Sequence, residues 1–239
     1  MMQLQDHLLD EEQLQAQEKT ERELLSSEAA FLVAALLLLR RSGKRRPRTR
    51  YHLDLVRREL IEGLTKEVFN GRRRSRVASF DSLLGELGDH RHGLSLSDVG
   101  FGEQRRAHQI ARRFGDHWGR AAAAAIDEGE SLANAPRVAA RRQRSRLQMT
   151  VITENARAFN EERVRQSRSL PLSRDLMTFK YWNAKLDKRT CSVCSSADGE
   201  LVRADEPFSE GTPGLVHPRC RCIAHFILLP ASAQGRLAS

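Results

Sequence analysis

The sequence predicts a mainly α-helical protein: long N-terminal helices followed by a small α+β module built on cysteine and histidine, with zinc as its expected clasp. Three observations carry this. The chain of 239 residues is 40% hydrophobic but only 5% aromatic, so its core draws on Leu, Ala, Val and Ile, a composition that favours helices over sheets. Apolar residues from Tyr51 to Phe69 recur at spacings of three or four and share a face. All four cysteines fall in one window, in "CSVC" and "HPRCRC", where short apolar bursts are cut by Gly and Pro.

The elements follow in order. Residues 1–39 read as one helix, in which Leu8, Leu14 and Leu24 recur among Glu and Gln. Its apolar end, Ala29–Leu39, is shorter than the roughly 20 residues a bilayer requires, so it reads as a buried helix segment, with no membrane partner expected. Arg40–Arg50 holds Gly43 and Pro47 and reads as a loop. Its Arg45 and Arg46 are candidates for touching DNA phosphate, or simply form a solvated basic turn. From Tyr51 to Phe69 an amphipathic helix places Leu53, Val56, Leu60, Leu64 and Val68 on one face. Asn70-Gly71 is a turn signal expected to end it, and Arg72, Arg73 and Arg74 behind it join the DNA-contact candidates.

Gly85–Gly102 is rich in Gly and Ser and reads as a loop. A metal site at Asp89, His90 and His92 is conceivable there, although two loop histidines without cysteines are more often exposed. Helix resumes near Glu103, and Pro136 separates it from another over Arg137–Arg168. Arg141 and Arg142, with Arg144 and Arg146, crowd the start of that helix, as a DNA-facing surface or a solvated face. Beyond Pro171 short strands and turns are expected, with His225 packed in the strand "IAHFILL". The organisation read from this is a helical region with basic loops (1–149), a compact module (150–230) and a flexible tail (231–239).

The formal net charge of +9 points to an acidic partner, most often nucleic acid; an arginine-rich proteome is the alternative. The polar, acidic N-terminus lacks the pattern of a secretory signal. Synthesis in a cytoplasm is therefore expected, where free thiols and metal sites outnumber disulfides.

The cysteine spacing is C-x2-C, then residues 195–219, then C-x-C. Two close thiolate pairs can fill the corners of a tetrahedron around Zn2+ and so stabilise a module with little core of its own. His217 either replaces one cysteine as ligand or supports one by a hydrogen bond; His225 is a weaker ligand candidate. Two disulfides and unliganded thiols remain open on spacing alone. No nucleophile elbow, P-loop or dinucleotide fingerprint is present. "DGELV" and "LVHPRC" bear a faint similarity to treble-clef nucleases, which need a further ligand for a second metal. A nuclease of that kind, or a zinc-module DNA-binding protein, is the alternative function.

"ITENARAFNEER", "YWNAKLDKRTCSVCSSADGE" and "HPRCRC" together resemble the phage Mu F-like minor head proteins, also called phage head morphogenesis proteins, over about residues 150–226. The shared positions are Thr153, Glu154, Ala156, Arg157 and Asn160, then Trp182, Asp187, Arg189, Thr190, Cys191, Cys194 and Gly199, then His217, Pro218, Cys220, Arg221 and Cys222. The resemblance implies a structural, non-catalytic component of a tailed-phage head or related particle. It would be made in the bacterial host cytoplasm and housed at low copy inside the capsid near the portal. Portal, major capsid or scaffold protein and packaged double-stranded DNA are its implied partners. Trp182 is expected to pack beneath the cysteines, Asp187 and Arg189 to pair with each other or with backbone, and Arg221 to point away from the metal toward a phosphate or carboxylate.

Overall fold

The computed structural model describes residues 11–87, 96, 101–167 and 176–230. The expected features at Leu8, at residues 89–92 and in the tail 231–239 lie outside them. Four long helices come first: α1 (Glu11–Gly43), α2 (Arg50–Leu87), α3 (Phe101–Asp127) and α4 (Ala135–Ser167). Strand β1 (Leu176–Asn183), the short helix α5 (Ser192–Ala197), β2 (Leu201–Arg203) and β3 (Ile223–Pro230) follow. Among the described residues no helix is long and apolar enough to cross a membrane.

The chain divides into two compact units. One comprises Ser27–Arg73 and Asp98–Glu154; the other takes the described residues of Met1–Ser26, Arg74–Ser97 and Asn155–Ser239. The first unit is helical. Phe31, Ala35 and Leu39 of α1 meet Val56, Leu60, Leu64 and Val68 of α2. Ala107, Ala111, Phe114 and Trp118 of α3 and Leu147 and Val151 of α4 complete the core. Thr49 starts α2, its hydroxyl accepting the His52 N–H at 3.2 Å, as a capping residue does.

Asn70-Gly71 does not end α2, which continues to Leu87. The glycine serves packing instead: a Cβ there would stand 2.4 Å from the Phe31 ring. Tertiary contact overrides the turn preference, and Gly71 is what lets the aromatic ring lie against the α2 backbone. One residue on, Arg72 is 1% exposed and pairs with Glu103 (2.7 Å) and Glu154 (2.7 Å). A buried guanidinium needs such partners, because burying a lone charge is costly.

The second unit is built on an antiparallel sheet of order β2-β1-β3. Its register pairs Trp182 with Ala224, Tyr181 with His225 and Lys180 with Phe226. Alternation divides the strand residues between two faces. Trp182, Ala224 and Phe226 join the buried cysteines, Phe208, Leu83 and Leu87 in one apolar cluster, with Trp182 edge-on to Phe208. Phe179, Tyr181, Ile227 and Leu229 form another. The part of α4 in this unit presents polar residues that are fully buried: Asn155, Asn160, Glu162 and Arg163.

Candidate metal centre

The C-x2-C pair owes its geometry to α5. Cys191 is the N-cap residue, with extended backbone (φ −79°, ψ 163°), and its Sγ accepts the Cys194 N–H at 3.4 Å. A cap and the residue three positions on lie on one side of a helix start, so both sulfurs point the same way. The second pair arrives on the turn before β3. There Cys220 Sγ accepts the Gly214 N–H at 3.3 Å. Gly214 has φ +78°, and a Cβ on it would come within 2.7 Å of Asn160 Nδ2 and 3.0 Å of the Ala156 carbonyl. The turn can pass this close to α4 only as glycine.

The donor atoms converge in two triads that share Cys194: Cys191, Cys194 and His217, and Cys194, Cys220 and Cys222, each with its ligand atoms within 4.8 Å of one another. Cys194 Sγ and Cys220 Sγ are 3.7 Å apart, and His217 Nε2 is 3.2 Å from Cys191 Sγ and 3.1 Å from Cys194 Sγ. Sulfurs held at about 2.3 Å from a tetrahedral ion are about 3.8 Å from one another, so the Cys194–Cys220 spacing suits one. His217 Nδ1 lies 2.8 Å from the Pro218 carbonyl. Donation of Nδ1–H to that oxygen leaves the lone pair on Nε2, the nitrogen turned to the sulfurs. This cluster of cysteine and histidine can hold a metal ion.

Protonation equilibria favour the same chemistry. Hydrogen bonds from Cys222 and from the Cys222 and Gly214 backbone hold the Cys220 thiol down to about 5, although burial opposes this. The Cys194 N–H lowers Cys191. Burial raises Cys194, and the neighbouring Cys220 sulfur, then burial, raise Cys222. A set in which some thiols are readily ionised and others resist a second negative charge is suited to accept a cation.

The remaining motif residues have distinct places. Trp182 is fully buried beside Cys194, Cys220 and Cys222. Gly199 (φ +78°) donates its N–H to the Trp182 carbonyl at 2.8 Å. Asp187 pairs side chain to side chain with Arg221 rather than Arg189, through two bonds of 2.6 and 2.7 Å; Arg189 contributes its backbone N–H at 2.8 Å. The Arg221 guanidinium, then the Arg189 N–H, hold the Asp187 carboxyl well below its usual range. Thr153, bonded to the Met149 carbonyl, and Glu154, paired with Arg72 and Arg106, belong to the helical unit.

The arginine candidates separate on burial and pairing. Arg72 is an internal ion-pair partner, not a surface cation. Arg45 is engaged by Glu59 and Arg142 by Glu128, while Arg46 reaches Asn134 at 3.5 Å. Arg73, Arg74 and Arg141 are exposed.

Sequence reading named Asn160 by resemblance and His225 as packed, but gave neither its partners and missed Arg163 and Glu86, which with them anchor β3. Asn160 donates to the Cys222 carbonyl (3.1 Å) and accepts from the Ala224 N–H (3.0 Å). Arg163 donates to the Ala224 carbonyl at 2.5 Å. Glu86 accepts from Arg163, from His225 Nδ1 at 2.8 Å and from the Phe226 N–H at 3.0 Å. His225 is therefore a buried partner of Glu86, stacked on Tyr181. The signal available was charged residues on the apolar-facing side of two helices.

The stretch from α3 into the start of β3, which holds the Cys/His cluster, carries the match that sets the class of the chain, that of phage head morphogenesis proteins. Residues 99–225 match the family described as phage Mu protein F like protein, and the chain belongs to that family. The family is structural. Neither the curated proteins nor the solved structures contain a match to this chain.

Proposed function

We propose that this chain is a minor structural protein of a phage head, acting in head assembly inside the capsid near the portal and contacting packaged DNA. The family match carries the reading, since it spans both the helical region from residue 99 and the cysteine cluster. The cluster holds one structural zinc ion through sulfur and His217 Nε2, and the ion fastens the small sheet to α4. Portal, major capsid or scaffold protein are its protein partners, and the exposed arginines, Arg73, Arg74 and Arg141 among them, face the DNA. The module of residues 150–230 is the metal-stabilised part and residues 1–149 the docking part.

Quantitative mass spectrometry of purified DNA-filled particles tests this. A few copies per portal are expected; absence from particles, with the chain abundant in lysate, would sink the structural reading. Incubation with plasmid and Mg2+ tests the alternative, since cleavage that disappears in His217→Ala would make the chain a nuclease.

A further inference from the structure

The two cysteine pairs reach the cluster on separate turns, and one ion pair at the rim ties those turns together. Asp187 lies in the turn that leads to Cys191, and Arg221 stands between Cys220 and Cys222. The first turn closes on itself. The Asp187 N–H donates to Thr190 Oγ1 and the Thr190 N–H to the Asp187 carbonyl, each at 2.9 Å. The Asp187 carboxylate accepts the Arg189 N–H at 2.8 Å, which fixes it to the backbone that leads into the Cys191 cap. On the second turn Cys220 and Cys222 are buried, while the Arg221 side chain reaches the rim. Its Nη1 donates to Asp187 Oδ2 at 2.6 Å and its Nη2 to Oδ1 at 2.7 Å. A planar fork on a carboxylate sets direction as well as distance, which a point charge does not. The two side chains are 26% and 33% exposed, and ion pairs so open to water add little to folding stability. What the pair supplies is geometry.

We infer that Asp187 and Arg221 are positioning residues of the metal centre: their two-bond pair sets the spacing between the Cys191–Cys194 turn and the Cys220–Cys222 turn, so that the donor atoms stand converged before an ion binds. Neither side chain is a ligand. Each acts through the backbone of a cysteine turn, as the outer partners of metal ligands do. Donors brought together in advance need less ordering when the ion arrives, and affinity rises accordingly. This role rests on the proposed zinc site. It also gives Arg221 a carboxylate as its partner in place of a phosphate.

The test is the zinc affinity of the full chain, measured by competition with a chromophoric chelator. It compares the parent with Asp187→Asn, Arg221→Lys and the double variant D187N/R221K, and the amide NMR spectrum of each zinc-loaded chain reports its fold. Loss of an outer partner weakens metal binding by about 10–100-fold, and a loss in that range is expected for Asp187→Asn, which keeps an oxygen for the Arg189 N–H. Arg221→Lys keeps the charge but not the fork and should also bind more weakly than the parent. The double variant should bind no more weakly than the weaker single one, because each residue acts through the other. Arg203→Gln is the control: it removes an exposed ion pair with Asp205 elsewhere in the same unit and should keep the parent's affinity, as a merely structural pair would. Unchanged affinity in Asp187→Asn, parent affinity in Arg221→Lys, additive losses in the double variant, or an equal loss in Arg203→Gln overturns the positioning role and leaves the zinc site standing. A parent chain that binds no zinc overturns both.

Discussion

Replacing Glu86 by Gln removes the carboxylate that stands, among the described residues, at ion-pair distance from both buried Arg163 and buried His225. The Arg163 and Glu86 side chains are 0% and 4% exposed, and His225 is 1% exposed. Deleting one member of a buried ion pair costs about 3–5 kcal/mol, because the other charge is left uncompensated. Gln keeps the shape and one acceptor, so the low end, about 3 kcal/mol, is expected. At about 2–4 °C per kcal/mol this lowers Tm by roughly 6–12 °C. Trp182 reports on this unit; the only other tryptophan, Trp118, lies in the helical unit. Urea unfolding in a W118F background, followed by fluorescence, therefore reads the change. The pH dependence provides a second readout. Burial alone would raise Glu86, but Arg163, His225 and the Phe226 N–H together hold it below 4.5. A carboxyl with a depressed folded pKa contributes stability that is present above 4.5 and lost as pH falls through the folded value. That acid-labile portion should vanish in Glu86→Gln. A loss under about 1 kcal/mol, or an unchanged acid profile, would refute the assigned role of the pair. In a double-mutant cycle Glu86→Gln/Arg163→Met should be no less stable than either single variant.

Gly71→Val should destabilise the helical unit by about 1–3 kcal/mol through overpacking against Phe31, read as a lower urea midpoint. A gain from replacing a mid-helix glycine would show that the ring can move aside. Cys194→Ser should reduce bound zinc and lower Tm more than His217→Ala, since Cys194 belongs to both donor triads; equal zinc content in all three proteins would refute the shared position. Asn160→Asp should loosen β3, because a carboxylate cannot donate to the Cys222 carbonyl. Faster amide exchange of Ala224 and its strand neighbours is expected, and unchanged exchange would remove the clamp from the account.

The convergence of the cysteines with His217 was legible because cysteine is chemically specific and its spacing short: C-x2-C became a helix cap and its partner three residues on. The helical faces were legible for the same local reason, in Leu60, Leu64 and Val68. Asn70-Gly71 misled because turn preference is a weak local term, and a ring packed from Phe31, 40 positions away in the chain, outweighs it. Glu86 and Arg163 were illegible because each is ordinarily a surface residue, whereas His225 was read as packed in its strand but without its partner. Only the fold supplies the partners that make their burial affordable. Arginine crowding showed positive charge without showing its neutralisation: Arg72, Arg45 and Arg142 are engaged by carboxylates, whereas Arg73, Arg74 and Arg141 are exposed.

The Asn160 clamp has a consequence for how the chain is made. The backbone groups it grips, at Cys222 and Ala224, lie 62 and 64 positions further along. At about 5–20 residues per second, a ribosome delivers them roughly 3–13 s after Asn160. Throughout that interval a helix with a buried amide, Asn160, and a buried guanidinium, Arg163, exists without the strand they bond to, and β1 waits with one flank bare. Chaperone capture or aggregation of this chain should therefore peak in nascent chains that end between Asn183 and Cys222, and subside once β3 can close.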